Sequence, residues 1–564
     1  MKDNRLLQFF KKYWLIGVLV LLALGAVFSS VEIYKEEVLN IDPDVKYEEQ
    51  NTLYFAAERV DTLNPLISQS ADVYYLSKLV YSSLFDFDEN LSAVPELVDS
   101  YTVNTDRAYI DLKLKKKISF QNGKKLKAED VRFTVSAIKA AGSASPYYDK
   151  AGKIVSVNVT DTYQCRIYFN NNYNCSLDDL TFPIVPSNQY ASAAQFARAK
   201  EDFKPIGTGA YQYKSYNYLK YLRLNPNQNY FGTRAENKIY VNIVPDCDLS
   251  ENLMEIEAVT CYLDSSASRK SIVSDKDYQM YNVVSNQLEL LVYNTRSGIC
   301  RDKTIRQAFA KGIDRQKILA NAYMEDGVLT DTLWYPNYLG VLDDGSAYTY
   351  DYEQAAEILQ AAGYIDSNHD GQLEKYGMPD LEVRILVNKK NATRTAAARL
   401  IATALENLGF QAEIRALGAK EYQAAIKKGD FDILLTGYSM EENYDLREFF
   451  NGKNPWKYTN YMLLKQVNEL ERLHTEEEYR EIYREIKAQL AGELPYEPLC
   501  YKYIGLIGLT NFEADQLPMF QDIYKNCQTW RWYKVIEPEK DAAADKTENK
   551  NENNEKVFVF LDYL

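Results

Sequence analysis

The chain has 564 residues, too many for one ordinary hydrophobic core, and its 46% hydrophobic and 26% charged content is that of a folded protein of two or three lobes. A formal net charge of −15 excludes nucleic-acid binding as its main task, because that needs clustered cations. Only two histidines, His369 and His474, and seven cysteines without a C-x-x-C pair argue against an ordinary zinc centre and against His-based acid–base catalysis.

At the N-terminus, Lys2, Arg5, Lys11 and Lys12 precede an uncharged run from Tyr13 to Val31, and Glu32, Glu36, Glu37, Asp42 and Asp44 follow. Positive charge on the N-terminal flank keeps that end in the cytosol and sends the rest outside. The run predicts an uncleaved transmembrane anchor over 1–31; a signal segment cut near Ser29 is the other reading. Residues 32–51 read as a polar stalk, and folding is expected to begin at Thr52-Leu53-Tyr54-Phe55. A helix is predicted over Tyr75–Leu84. Residues 101–120 alternate, with Ile110, Leu112 and Leu114 on one face, and predict strands. Ala128–Ala140 reads as a helix with Val131, Val135 and Ile138 together and Asp130 in the first turn, where a carboxylate suits the dipole. Alternation returns over 154–169. Cys165 and Cys175 flank an Asn-rich turn and suit a bridged hairpin; buried thiols are the other reading.

Pro205-Ile206-Gly207-Thr208-Gly209-Ala210-Tyr211 predicts a tight turn that uses glycine to reach positive φ, followed by paired strands through Tyr221. Asp366, Asn368 and Asp370 stand at positions 1, 3 and 5 of a calcium-type loop with Gly371 as its turn. Position 12 is Gly377 where a bidentate Glu is needed, so the segment reads as an Asx-turn loop. From 381 to 435, strand, helix, strand, helix and strand alternate, with helices stopped at Gly409 and Gly429, which predicts a parallel α/β lobe. Ligands of such sheets bind past the carboxyl ends of strands, which singles out the loop Gly437–Asp445. Residues 466–491 read as a charged helix pair and 495–509 as a strand. Residues 537–564 read as a disordered acidic tail with a short apolar end. The 47 tyrosines are scattered, which reads as a compositional habit; an aromatic-lined cleft is the sharper alternative. No nucleophile elbow, H-E-x-x-H, Walker or dinucleotide pattern occurs, so no catalytic role, metal or cofactor is expected.

Phe120-Gln121-Asn122-Gly123, Leu126–Thr134, Pro205–Tyr211 and Ile305–Arg315, in this order, resemble the family 5 extracellular solute-binding proteins of bacterial ABC importers. The family includes oligopeptide-, dipeptide- and nickel-binding proteins. The resemblance implies a two-lobed α/β clamp of the type II periplasmic-binding fold over 52–536. Lobe I would comprise 52–86, 206–295 and 495–536, an accessory part 87–205, and lobe II 296–494. It also implies a monomer outside the membrane that holds a peptide between its lobes and delivers it to permease subunits. A nickel chelate or other small solute, or a role as a membrane-anchored peptide sensor, stay open. Relatives that bind peptides carry an aromatic in the 437–445 loop and, three residues on, an acid that pairs with the peptide's α-ammonium. Tyr438 and Glu441 match, with Glu442 and Tyr444 beside them, and Gln69, Ser70 and Ala71 fall along the ligand backbone. One departure is clear: Leu24-Gly25-Ala26 is followed by Val27 instead of the Cys that carries the usual lipid.

Overall fold

The longest strands among the described residues, Gln279–Tyr293 and Tyr496–Gly508, run antiparallel and carry the largest sheet. The computed structural model describes residues 46–170, 176–245, 250–264, 273, 278–341, 348–376, 381–440, 446–470 and 472–536. It divides into a large unit, Asn51–Arg531, and a small one. In the small unit Lys46–Glu49 pairs antiparallel with Tyr533–Ile536, so the polar segment expected as a stalk ends in a strand. Residues 1–45 and 537–564, with the expected anchor and tail, lie outside the described residues. Among the described residues no helix is long and apolar enough to cross a membrane.

Within the large unit, Thr52–Ala57 lies parallel to Lys238–Ile243 and heads a four-stranded sheet completed by Tyr221–Pro226 and Tyr211–Asn217. A second four-stranded sheet, antiparallel throughout, uses Val98–Asn104, Tyr109–Leu114, Gln164–Phe169 and Ile154–Asp161. The helix Ala128–Ala141 starts where the sequence places it. Asp130, buried, accepts from Lys127 N (2.8 Å) and Ser187 N (2.8 Å), so its carboxylate caps the helix and also fixes a distant loop. Cys165 is a buried free thiol, not half of a bridge.

The two long strands pair from Gln279↔Gly508 to Val284↔Tyr503, lose register, and resume from Leu288↔Tyr501 to Val292↔Tyr496. Cys261–Asp264 pairs with Gly508–Gly505 on one side of this break. On the other side, Ile433–Ser439 pairs with Tyr293–Gln287 and Gly327–Leu329 with Lys502–Cys500. At the break the buried Ser285 hydroxyl donates to Lys502 O (2.7 Å) and accepts from Gln287 N (3.1 Å), replacing ladder bonds where the pairing is interrupted. Beyond it, Glu382–Asn388 lies parallel to both Gln411–Leu417 and Ile433–Ser439. The helices Ala392–Asn407 and Ala419–Lys428 complete the β/α alternation read from the sequence. Their apolar faces, including Ile401, Leu405, Tyr422 and Ile426, are buried with those strands.

The glycine-rich turn is a packing device. Neither Gly207 nor Gly209 has positive φ, contrary to expectation. A Cβ on Gly207 would stand 2.0 Å from Val80 O, and one on Gly209 2.6 Å from Leu79 O. Gly209 N instead donates to Val80 O (2.8 Å), tying the turn to the end of the helix Ala71–Val80. Gln121, from another signature segment, locks the same junction through Gln121 N to Gly207 O (3.0 Å) and Nε2 to Tyr211 O (2.7 Å). In Ile305–Arg315 the buried Arg306 donates to Cys300 O (2.9 Å) and Leu494 O (3.0 Å), and Arg315 to Thr330 O (2.7 Å) and Pro498 O (2.9 Å). These motif residues hold the scaffold together.

Candidate functional site

A cavity of about 300 Å³ opens within the large unit. One wall is Pro146–Lys153 and Ser176–Asp179; the other is the turn Tyr338–Leu339 with the start of the helix Glu476–Glu493. Each wall is built locally. Asp179 accepts from Ser176 N (2.9 Å) and pairs with Lys153 Nζ (2.8 Å), while Lys150 Nζ donates to Thr181 Oγ1 (3.0 Å). The opposite turn is tight: Asn337, Leu339 and Gly340 have φ of 59°, 53° and 68°. Arg480 Nε braces it by donating to Leu339 O (2.7 Å). The turn delivers Tyr338, whose hydroxyl donates to Asp178 Oδ2 at 3.3 Å across the cavity. Burial, and then the neighbouring Asp179 charge, push the Asp178 carboxyl up to about 7. Tyr483 stands edge-on to Tyr338 (5.3 Å, 87°), and Tyr479 lies one turn earlier on the helix.

A second polar cluster underlies the end of the strand Ile433–Ser439. Arg394 forks onto Glu289 with Nε to Oε2 and NH2 to Oε1 both at 2.7 Å, and Tyr323 OH donates to Glu289 Oε2 (2.8 Å). A Cβ on Gly437 would lie 2.0 Å from Arg394 NH2, so glycine is what lets the strand pass over this pair. Past it, Met440 N donates to Asn286 O (2.9 Å) and Gln287 Nε2 to Ser439 Oγ (2.7 Å). The strand Ile433–Ser439 therefore ends beside the register break of the long strands.

The sequence model of the bacterial extracellular solute-binding proteins, family 5 Middle, matches residues 92–456. The chain belongs to this family. Among its relatives, the oligopeptide-binding protein AppA of Bacillus subtilis (strain 168) is 22% identical over 480 residues, 81% of this chain and 86% of that protein. The dipeptide-binding protein of Escherichia coli (strain K12) is 25% identical over 425 residues, 71% of this chain and 78% of that one. The fold is similar to that of an ABC transporter substrate-binding protein from Sinorhizobium meliloti. There the TM-score is 0.66 at 16% identity, covering 86% of this chain and 100% of the other.

Within this family's frame, the residues expected to meet ligand fall into three groups. Tyr438, expected in the loop, lies instead within the strand Ile433–Ser439 opposite Leu288, because Gly437–Ser439 continue the ladder to the long strand; its hydroxyl donates to Glu448 Oε2 (2.8 Å) and its ring stands against Phe449 at 4.8 Å. Glu441, Glu442 and Tyr444 lie outside the described residues. Gln69, Ser70 and Ala71 begin the helix Ala71–Val80. The buried Ser70 hydroxyl caps that helix by accepting from Val73 N (3.3 Å) and itself donates to Arg59 O. Gln69 donates to Asp61 Oδ2 (2.9 Å) and Ala144 O (2.6 Å), and Ala71 is exposed at the first helical position. The loop 366–374 is organised by Asx-type bonds: Gly371 N to Asp366 Oδ2 (3.0 Å), Asp370 N to Asn368 Oδ1 (2.9 Å) and Gln372 N to Asp370 Oδ1 (2.8 Å). The carboxylates of Asp366, Asp370 and Glu374 lie within 4.8 Å of one another.

Sequence reading did not single out Asp178, Tyr338, Tyr479 or Tyr483. The signals present are weak. Leu177-Asp178-Asp179-Leu180 encloses paired acids between apolar residues, and Tyr479 and Tyr483 share a helix face at i, i+4.

Proposed function

We propose that the protein is the extracytoplasmic substrate-binding component of an ABC transporter, capturing peptides between two lobes and passing them to membrane permease subunits. The observation that carries this is the pair of strands Gln279–Tyr293 and Tyr496–Gly508. They are the backbone of one sheet, yet break register at 285–287 and pair with different strands on either side. Such a break is a bend about which two lobes close, and closure around a cavity removes the ligand from water. The two peptide-binding relatives support a peptide as the ligand; an extended peptide suits strand ends and loops that offer main-chain partners. Tyr13–Val31 serves as the anchor that keeps the binding domain at the outer face of the membrane.

Glu441 is the residue for the ligand's α-ammonium. It follows Tyr438 by three residues in the sequence, past the buried strand Ile433–Ser439, and a carboxylate is the group suited to a cation in a poorly hydrated cleft. Glu441→Gln keeps size and removes charge. It is expected to cost about 2–5 kcal/mol in peptide affinity by calorimetry, as is acetylating the peptide, and the two changes together should not add. Wild-type affinity in Glu441→Gln would refute the assignment. Mass spectrometry of ligand co-purified from native cells tests the whole reading. Peptides support it, and a metal chelate alone would overturn the ligand class while leaving the family intact.

A further inference from the structure

The cavity beneath Tyr338 has a composition that selects charge. Its ionisable lining is Asp149, Lys150, Lys153, Asp178, Asp179 and Glu476, with His474 at the rim. Most of these are already matched. Lys153 pairs with Asp179 (2.8 Å), and Glu476 pairs with Arg480 (2.6 Å). Lys150 Nζ is directed to Thr181 Oγ1. His474 Nε2 lies 2.7 Å from Glu469 O, and its ring stands edge-on to Tyr479 at 5.1 Å. Asp178 is different: its carboxylate accepts the long 3.3 Å bond from Tyr338, and the nearby Asp179 charge acts on it against the charges of Lys150 and Lys153, whose ammonium groups bond elsewhere. A carboxylate can take about four hydrogen bonds, so this group is poor in donors. Around it the wall is aromatic, from Tyr338, Tyr479 and Tyr483, all buried. A carboxylate set among aromatic rings is the arrangement that holds an ammonium or guanidinium, through charge and through the ring faces. An apolar side chain would desolvate Asp178 further, with only the Tyr338 bond and the Lys150 and Lys153 charges to offset it.

We propose, resting on the peptide-binding reading above, that this cavity takes a cationic side chain of the ligand, lysine or arginine, with Asp178 as its counter-ion. Tyr338 links this choice to lobe closure, because its turn stands on the wall opposite Asp178.

The test uses the full chain and matched peptides. Ala-Ala-Lys-Ala-Ala and its norleucine counterpart, with the corresponding tripeptides, are titrated by calorimetry at pH 8. Wild type should prefer lysine by about tenfold or more, the scale of one desolvated charge-assisted contact. Asp178→Asn should bring the ratio to about one while norleucine affinity is retained. The ratio is read within one protein, so partial unfolding of the variant cancels. If Asp178→Asn does not fold, wild type carries the test alone. Protonating a carboxyl held up near pH 7 should shrink the lysine preference between pH 8 and pH 6. A ratio near one in wild type at pH 8, or a preference that survives in Asp178→Asn, overturns the proposal. If no peptide binds, cadaverine is the second probe. A melting-temperature rise in wild type that Asp178→Asn lacks upholds the cation site and removes the peptide reading; no rise in either removes both.

Discussion

The junction at Gly207–Tyr211 and the cavity at Asp178 are both places where distant segments meet, and they are built on opposite terms. At the junction the backbone is close-packed and bonded across segments: Gly209 N to Val80 O, Gln121 N to Gly207 O, and Asn227 Nδ2 to Gly209 O at 2.8 Å; the buried Thr208 hydroxyl there lacks a partner among the described residues. Room is so short that no side chain fits at Gly207. At the cavity a carboxylate is under-supplied with donors and the facing turn holds Leu339 at φ 53°. The contrast teaches that close packing of backbone on backbone fixes the junction, whereas the cavity keeps a strained turn and a carboxylate short of donors, as functional sites commonly do.

The comparison breaks if scaffold and cavity respond alike to mutation. The largest effect is expected at the buried ion pair under Gly437. Arg394→Met leaves Glu289, 4% exposed, without its partner, and should cost about 3–5 kcal/mol in urea unfolding. Next is Gly207→Ala, where the clash is with backbone at Val80 and cannot be relieved by a rotamer. A loss of about 3 kcal/mol is expected from the same measurement. A third substitution should act in the opposite direction. With its carboxyl pushed up to about 7, Asp178 binds its proton more tightly folded than unfolded, so the wild-type protein loses stability as pH rises from about 4 to about 7. Asp178→Asn has no such loss. Melting curves should coincide near pH 4 and separate by a few degrees in favour of the variant at pH 8. The smallest effect is expected for Gly340→Ala. Its φ is 68°, but Arg480 Nε, 3.9 Å from an added Cβ, is the nearest atom. Backbone strain alone should cost about 1 kcal/mol. Equal costs for Gly207→Ala and Gly340→Ala would erase the distinction between a packed junction and a strained rim.

Most of the elements were legible in the sequence because each announces itself locally. The alternation at Ile110, Leu112 and Leu114 became the strand Tyr109–Leu114, and Gly409 and Gly429, at φ 90° and 72°, end helices where expected. The crossing of Gln279–Tyr293 with Tyr496–Gly508 was not legible. Two strands about 200 residues apart carry no mark of their partner, and strand pairing is settled by packing on both faces. The role of the glycines at 207 and 209 was misread for a related reason. Positive φ is a property of a residue, whereas a close approach to Val80 belongs to a pair of segments.

By itself the sequence determined the family, the strands and helices of several stretches and the parallel α/β lobe, because periodicity, caps and ordered motifs are written over a few residues each. It ended the last strand of that lobe at Leu435 and put Tyr438 in the loop beyond, whereas pairing with Gln279–Tyr293 carries the strand on to Ser439. Only the tertiary structure decided that Asp178 stands against Tyr338 with its carboxylate short of donors, and that Arg394 reaches Glu289 beneath Gly437. A carboxylate is a solvated surface charge or a selective site according to what surrounds it. For Asp178 those surroundings come from segments 160 positions away in the chain.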